Sequence, residues 1–271
     1  MAETPAPTVD AHAHIFTRAM PFAATAHSRP DYDYPVDAYL AELDRYGIAY
    51  GVIAAASLFD DGNAYTLAAL AAHSRLRATV IAPPDTDRRT LRDMADLGVV
   101  GVRLVWRRLN EPPALDAEPY RGFLRRLAEC GLHVELLAGS TGLTALLPQL
   151  AEAPVKVVID HFGAPSRDAA ERRAGTDALC RAIDARRTWV KLSAGFRLPF
   201  AVAEEVAGRL LAHAGAERLL WGSDAPFVNH EDDTCYDGAI DLYRRLVSNA
   251  AARAAIDRTA LALFFNRESR S

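Results

Sequence analysis

Along the chain, short runs rich in branched aliphatic residues alternate with longer stretches whose apolar positions recur at helical spacing. The short runs predict strands at Val9–Phe16, Gly51–Ala56, Arg77–Ala82, Val99–Trp106, His133–Ala138, Val155–His161, Trp189–Ser193 and Arg218–Ser223. The longer stretches predict helices at Val36–Tyr46, Ala64–His73, Arg88–Leu97, Pro119–Cys130, Leu143–Ala151, Thr176–Ala185 and Ala203–Ala214, with a final one beginning near Tyr236. Strand and helix alternating eight times without consecutive strands is the pattern of a closed parallel (β/α)₈ barrel, an α/β fold of TIM-barrel type. A doubly wound open sheet shares the alternation, but no glycine-rich dinucleotide turn follows the first strand. Residues 1–8 lack the pattern and are expected to form a flexible tail, and residues 9–271, free of low-complexity linkers, to form a single barrel domain.

Composition narrows the function classes. The chain has 271 residues, half of them hydrophobic, enough for one large core. Its net charge is −4 and no long stretch is dominated by Lys or Arg, which argues against nucleic acid or an anionic membrane surface as a partner. Cys130, Cys180 and Cys235 are widely spaced and form no C-x-x-C pair, so neither a disulfide framework nor a cysteine zinc site is expected. No apolar run approaches the roughly 18 residues of a membrane span, and the start has no basic and apolar leader. A cytoplasmic protein is the expectation, with a homo-oligomer compatible with the composition.

The chemistry gathers at the predicted strand ends. His12 and His14 stand two apart in a strand and therefore project from one face, offering paired imidazoles to a metal or a carbonyl. Ser57, Arg103, Asp160-His161, Ser193, Arg197 and Ser223-Asp224 lie at or beyond the ends of later strands. Barrel enzymes draw catalytic groups from those ends, because the βα loops build one shared mouth there. Asp10 and Asp160 read as carboxylates that orient neighbouring histidines. Arg103, inside an apolar strand, needs an anionic partner, which a substrate carboxylate or Glu135 on the next strand would supply. Ser57 and Ser193 read either as substrate contacts or as caps. Arg107 and Arg108 read as solvated loop charges, and Arg197 lies in a loop beyond the seventh strand. Trp106, Phe162, Phe196 and Phe227 flank the strand ends, where packing is their default role and a flat ring would also be accommodated. His27, His73 and His213 read as surface or helix residues. His230, in the loop after Asp224, is placed to touch substrate.

Five motifs in order, Val9-Asp10-Ala11-His12-Ala13-His14, Gly101-Val102-Arg103-Leu104, Val158-Ile159-Asp160-His161-Phe162-Gly163, Val190-Lys191-Leu192-Ser193 and Trp221-Gly222-Ser223-Asp224-Ala225-Pro226, resemble the amidohydrolase superfamily. More narrowly, the chain resembles the branch of metal-dependent hydrolases that includes 2-pyrone-4,6-dicarboxylate lactonase, sulfomuconolactone hydrolases and sugar lactonases. The resemblance implies that Asp224 takes a proton from the attacking water while His12, His14 and His161 polarise the lactone carbonyl, with or without a divalent ion. It implies that Arg103 binds a substrate carboxylate. If metal is bound, His12, His14, His161 and Asp224 form a plausible mononuclear zinc or manganese set. The chain departs from the superfamily in lacking a strand-four lysine or cysteine to bridge two metals and in offering Glu135 for the strand-five histidine, so a binuclear centre is not expected.

The expected function is hydrolysis of a small anionic lactone. A zinc-dependent decarboxylase of an unsaturated or aromatic acid is the alternative with the same ligand set, and a non-catalytic binding barrel is the remote one.

Overall fold

The computed structural model describes residues 6–266 except 61, 110 and 186. Eight parallel strands pair in sequence order: β1 (Val9–Ala13), β2 (Tyr50–Ile53), β3 (Leu76–Val80), β4 (Val99–Val105), β5 (His133–Leu137), β6 (Val157–Ile159), β7 (Thr188–Leu192) and β8 (Leu219–Trp221). The helices are α1 (Val36–Arg45), α2 (Gly62–Ala72), α3 (Arg88–Leu97), α4 (Tyr120–Glu129), α5 (Ser140–Glu152), α6 (Ala169–Asp184), α7 (Phe200–Ala214), α8 (Tyr236–Leu246) and α9 (Ala250–Phe264). This is the expected single (β/α)₈ barrel.

Closure occurs just beyond the last strand, where Asp224 N donates to His12 O at 2.8 Å and His14 N donates to Ala225 O at 2.8 Å. Glycine permits that approach: a Cβ on Gly222 would sit 2.4 Å from His12 Cβ and 2.7 Å from His12 N. Asp10 braces the same seam, accepting from Ser223 N at 2.9 Å, Ser223 Oγ at 2.6 Å and Tyr236 Oη at 2.7 Å. The seam between β1 and β8 is thus fixed by the backbone and by one buried carboxylate.

The main core lies between the strands and the surrounding helices, as in other barrels whose helices form an outer ring. A second cluster fills the amino-terminal end of the barrel, where Ala260 and Phe264 of α9 pack on Val9, Ala11, Val52, Val158 and Leu220. That end is plugged, which leaves the carboxyl ends of the strands as the open mouth. A third cluster, Phe16, Leu58, Phe59 and Val228, ties together the loops after β1, β2 and β8 beside that mouth.

The expected elements shift in instructive ways. β1, β6 and β8 end before His14, His161 and Asp224, which occupy the turns that follow. α6 begins at Ala169 and not Thr176, because Asp168 caps it by accepting from Glu171 N at 2.9 Å. The final helical stretch is two helices, since Asn249 accepts from Ala251 N and Ala252 N and starts α9 afresh. Residues 1–5 of the expected tail lie outside the described residues, whereas Thr8 is tied down, its N donating to Asp257 Oδ1 at 3.0 Å and its O accepting from Tyr50 N at 3.2 Å. Among the described residues no helix is long and apolar enough to cross a membrane.

Candidate active site

Three imidazoles and one carboxylate converge at the mouth. His12 is buried on β1 and His14 follows that strand, their ring centroids 5.0 Å apart. His161 stands in the turn after β6, its ring 4.7 Å from that of His12. Asp224 follows β8, and its Oδ1 lies 3.3 Å from His14 Nε2, 3.5 Å from His12 Nε2 and 3.9 Å from His161 Nε2. The turns, not the strands, aim two of these groups. His161 and Asp224 hold φ of 53° and 64°, a left-handed conformation that non-glycine residues adopt rarely and that clusters at functional sites.

The far nitrogens of the rings are held from behind. His14 Nδ1 lies 2.8 Å from Ala54 O, and because a carbonyl only accepts, that nitrogen carries the proton and leaves Nε2 with its lone pair when the ring is neutral. His161 Nδ1 meets Ser193 Oγ at 2.9 Å, which assigns the expected site residue Ser193 to orienting a histidine. Burial holds the His161 imidazole down to a pKa of about 4, against the pull of Asp224 and Asp160, so it is neutral near pH 7. Burial alone would raise the Asp224 carboxyl. His161, the bond to His14, Arg197 and His12 instead hold it well below the usual carboxylate range.

Beneath the site runs a buried ionic layer. Arg103 donates through Nε to Asp160 Oδ2 at 2.9 Å and through one terminal nitrogen to Ala55 O at 2.7 Å, and its Nε lies 3.1 Å from Glu135 Oε1. The register of β4 on β5 sets Arg103 directly beside Glu135. Lys191, fully buried on β7, bonds Glu135 and lies 3.4 Å from Asp160 Oδ1. Of the two partners foreseen for Arg103, the structure supplies the protein one: its guanidinium is occupied by Glu135 and Asp160. Lys191 was legible as a charge inside an apolar strand, the same signal that drew attention to Arg103, but its partners come from β1, β5 and the turn after β6.

The rim is cationic. Arg197 reaches in from the loop after β7, its Nε donating to Asp224 Oδ2 at 3.0 Å and a terminal nitrogen to Val228 O at 3.1 Å. Arg107 and Arg108, exposed in the loop after β4, share that rim: the His27 imidazole is lowered first by partial burial and then by Arg108, Arg197 and Arg107. His230 donates to Asp233 Oδ2 at 2.8 Å, and its ring packs on Phe196 at 5.4 Å, itself 5.5 Å from Phe227. Ser57 is partly buried in the loop after β2. Trp106 packs edge-on against Tyr120, and Phe162 is buried in the core.

Comparison with known proteins agrees with this architecture. The chain is 29% identical over 240 residues to 4-sulfomuconolactone hydrolase from Rhizobium radiobacter, covering 82% of this chain and 77% of that protein. A Pseudomonas putida structure described as a 2-pyrone-4,6-dicarboxylic acid hydrolase matches with TM-score 0.85 and 35% identity, covering 97% of this chain and 98% of that one. A structure so described from Acinetobacter baumannii, solved with citric acid bound, matches with TM-score 0.90 and 28% identity over 95% of this chain and 99% of that one. Residues 9–265 match the Amidohydro_2 amidohydrolase model, and the chain belongs to that family of hydrolases.

Proposed function

We propose that this chain opens the ring ester of a small anionic lactone by water attack, with Asp224 as the base. The observation that carries the reading is the meeting of Asp224 Oδ1 with the Nε2 atoms of His12, His14 and His161 at 3.3–3.9 Å beneath an arginine rim. Water placed against Oδ1 gives up its proton to the carboxylate as its oxygen bonds to the lactone carbonyl carbon. Histidine N–H groups stabilise the oxyanion, a role in which removing one donor typically costs about 10²- to 10³-fold in kcat. The ring C–O bond then breaks, and the leaving oxygen recovers the proton held by Asp224, giving an open-chain acid. The His12 Nε2 atom supports this arrangement, because it is buried and has no hydrogen-bond partner in the protein.

Arg197, with Arg107 and Arg108 near it, supports an anionic substrate, since guanidinium groups bind carboxylate or sulfonate oxygens in pairs. A substrate anion drawing Arg197 toward itself would relieve one of the charges that suppress Asp224. Arg103 serves here from below, holding Asp160. Ser57 and His230 stand at the mouth within the loops that would enclose such a ligand.

A divalent ion is compatible with part of the donor set. Ligating atoms of His12, His14 and Asp224 lie within 4.8 Å of one another, as do those of His12, Asp160 and His161. Both sets include His12, so His12, His14, His161 and Asp224 would hold zinc or manganese only with a His12 lone pair turned to the ion, which when bound would supply Lewis acidity at the carbonyl and a more acidic water.

The test is turnover of a panel of lactones, with and without a ring carboxylate, followed by acid release and by carbon dioxide evolution. Acid release confined to the anionic members supports the reading. Carbon dioxide evolution from an unsaturated acid, with every lactone left intact, would replace it with the decarboxylase alternative.

A further inference from the structure

The ring of His12 has two neighbours on its far side, and they ask for opposite tautomers. Lys191 Nζ lies 3.1 Å from Nδ1 and makes a hydrogen bond to it. Asp160 Oδ1 lies 3.2 Å from the same atom and makes no hydrogen bond in this arrangement, but it is the acceptor at hand if Nδ1 carries the proton. A protonated amine only donates, so the bond that is made requires a bare Nδ1. In a neutral imidazole the proton then sits on Nε2, on the side facing Asp224 and the reaction centre.

We propose that Lys191 is a positioning residue which fixes His12 in its Nε2–H form, making His12 a hydrogen-bond donor to the carbonyl oxygen and withholding it as a metal ligand. Metal ligation needs the Nε2 lone pair, which the Nδ1–H tautomer alone provides in a neutral ring. His14 is braced differently, its Nδ1 donating to Ala54 O.

Lys191 is held for this task. Glu135 bonds its Nζ and is in turn flanked by Arg103 and by Thr79, whose Oγ1 donates to Glu135 Oε1 at 3.3 Å. All of Lys191, Glu135, Asp160 and Thr79 are fully buried, so the amine has no water to turn to. The inference rests on the lactone-opening reading for the meaning of a donor at His12, but its readouts do not need turnover.

The experiment uses full-length protein labelled with ¹⁵N-histidine, with His12 assigned by the signals lost in His12→Asn. Long-range ¹H–¹⁵N spectra are expected to show a bare Nδ1 and a protonated Nε2 at His12. In Lys191→Met with Glu135→Gln, which removes one charge of each sign and so avoids an unpaired buried ion, Asp160 is the remaining partner and the proton is expected to move to Nδ1. Zinc binding, measured by competition with a chromogenic chelator, is expected to tighten about 10- to 100-fold in that double variant, the range corresponding to one charge-assisted hydrogen bond. A protonated Nδ1 at His12 in the unmodified protein would overturn the proposal, as would an unmoved proton or unchanged zinc affinity in the double variant. Lactone turnover absent from both proteins, with the spectra as expected, would count against the hydrolytic reading and leave the tautomer assignment standing.

Discussion

In the proposed reaction Asp224 is a base made available at a cost in basicity. His161, the bond to His14, Arg197 and His12 hold its carboxyl well below the usual carboxylate range, so it is ionised near pH 7. What it gains is position: Oδ2 is tied to Arg197 and Oδ1 is left facing the histidines. Arg197→Gln therefore has two expected effects, a KM for anionic lactones raised by at least tenfold and little change for neutral ones. Steady-state kinetics on a matched pair of lactones checks this, and equal effects on both would place Arg197 in structure alone. His12, His14, His161 and Asp224 could be picked out as chemistry from the chain because each is a polar residue ending an apolar run. Their distances could not, because His161 and Asp224 depend on a positive φ that residues other than glycine adopt in only a few per cent of cases, Asp and His more often than most. The partners of Arg103 were half legible: Glu135 was a candidate by strand adjacency, while Asp160 required the β4, β5 and β6 ends to be seen together.

At the scale of elements, the site depends on the β1–β8 seam. Gly222→Ala would drive a methyl group into His12, so it is expected to destabilise the fold by about 1–3 kcal/mol, the usual cost of overpacking, and to lower kcat by moving His12. Urea titration and kinetics together check this, and an unchanged midpoint would show that the seam yields. The far end of the barrel is closed by α9, where Phe264 is 2% exposed. Phe264→Ala is expected to cost about 3–5 kcal/mol by leaving a cavity in the plug, without altering substrate preference, since the plug lies at the opposite end from the mouth. A thermal melt beside the lactone panel separates the two quantities. The eight strands and the order of the helices were legible because apolar runs and helical periodicity are local signals. The break between α8 and α9 was not foreseen, although Asn249, a good cap before a run of alanines, carried the signal.

For the whole molecule, buried histidines make stability depend on pH. His161 and His133 have pKa values lowered by burial to about 4 and about 3, against about 6.5 when unfolded. As pH falls from 6.5 to 4 the unfolded chain takes up protons that these native rings refuse, so stability falls with acidification in that window. His12 and His27, also lowered first by burial, act in the same sense, while the carboxyls of Asp257, raised to about 6, and of Asp10 and Glu135, all raised chiefly by burial, act in the opposite one. Melting temperature is expected to drop steadily between pH 6.5 and pH 4, and a flat profile would contradict the neutral assignment of these rings. A barrel plugged at one end, with its ionic layer buried beneath three imidazoles, presents its site at the other end.

Asp224→Asn removes the carboxylate proposed to take the proton from water. Ring opening of an anionic lactone accepted by the unmodified protein is followed by proton release, with the fold of both proteins verified by circular dichroism. A loss in kcat of about 10²- to 10⁴-fold is expected, with KM changed far less, as befits removal of a general base. Undiminished turnover by the asparagine variant would contradict that role.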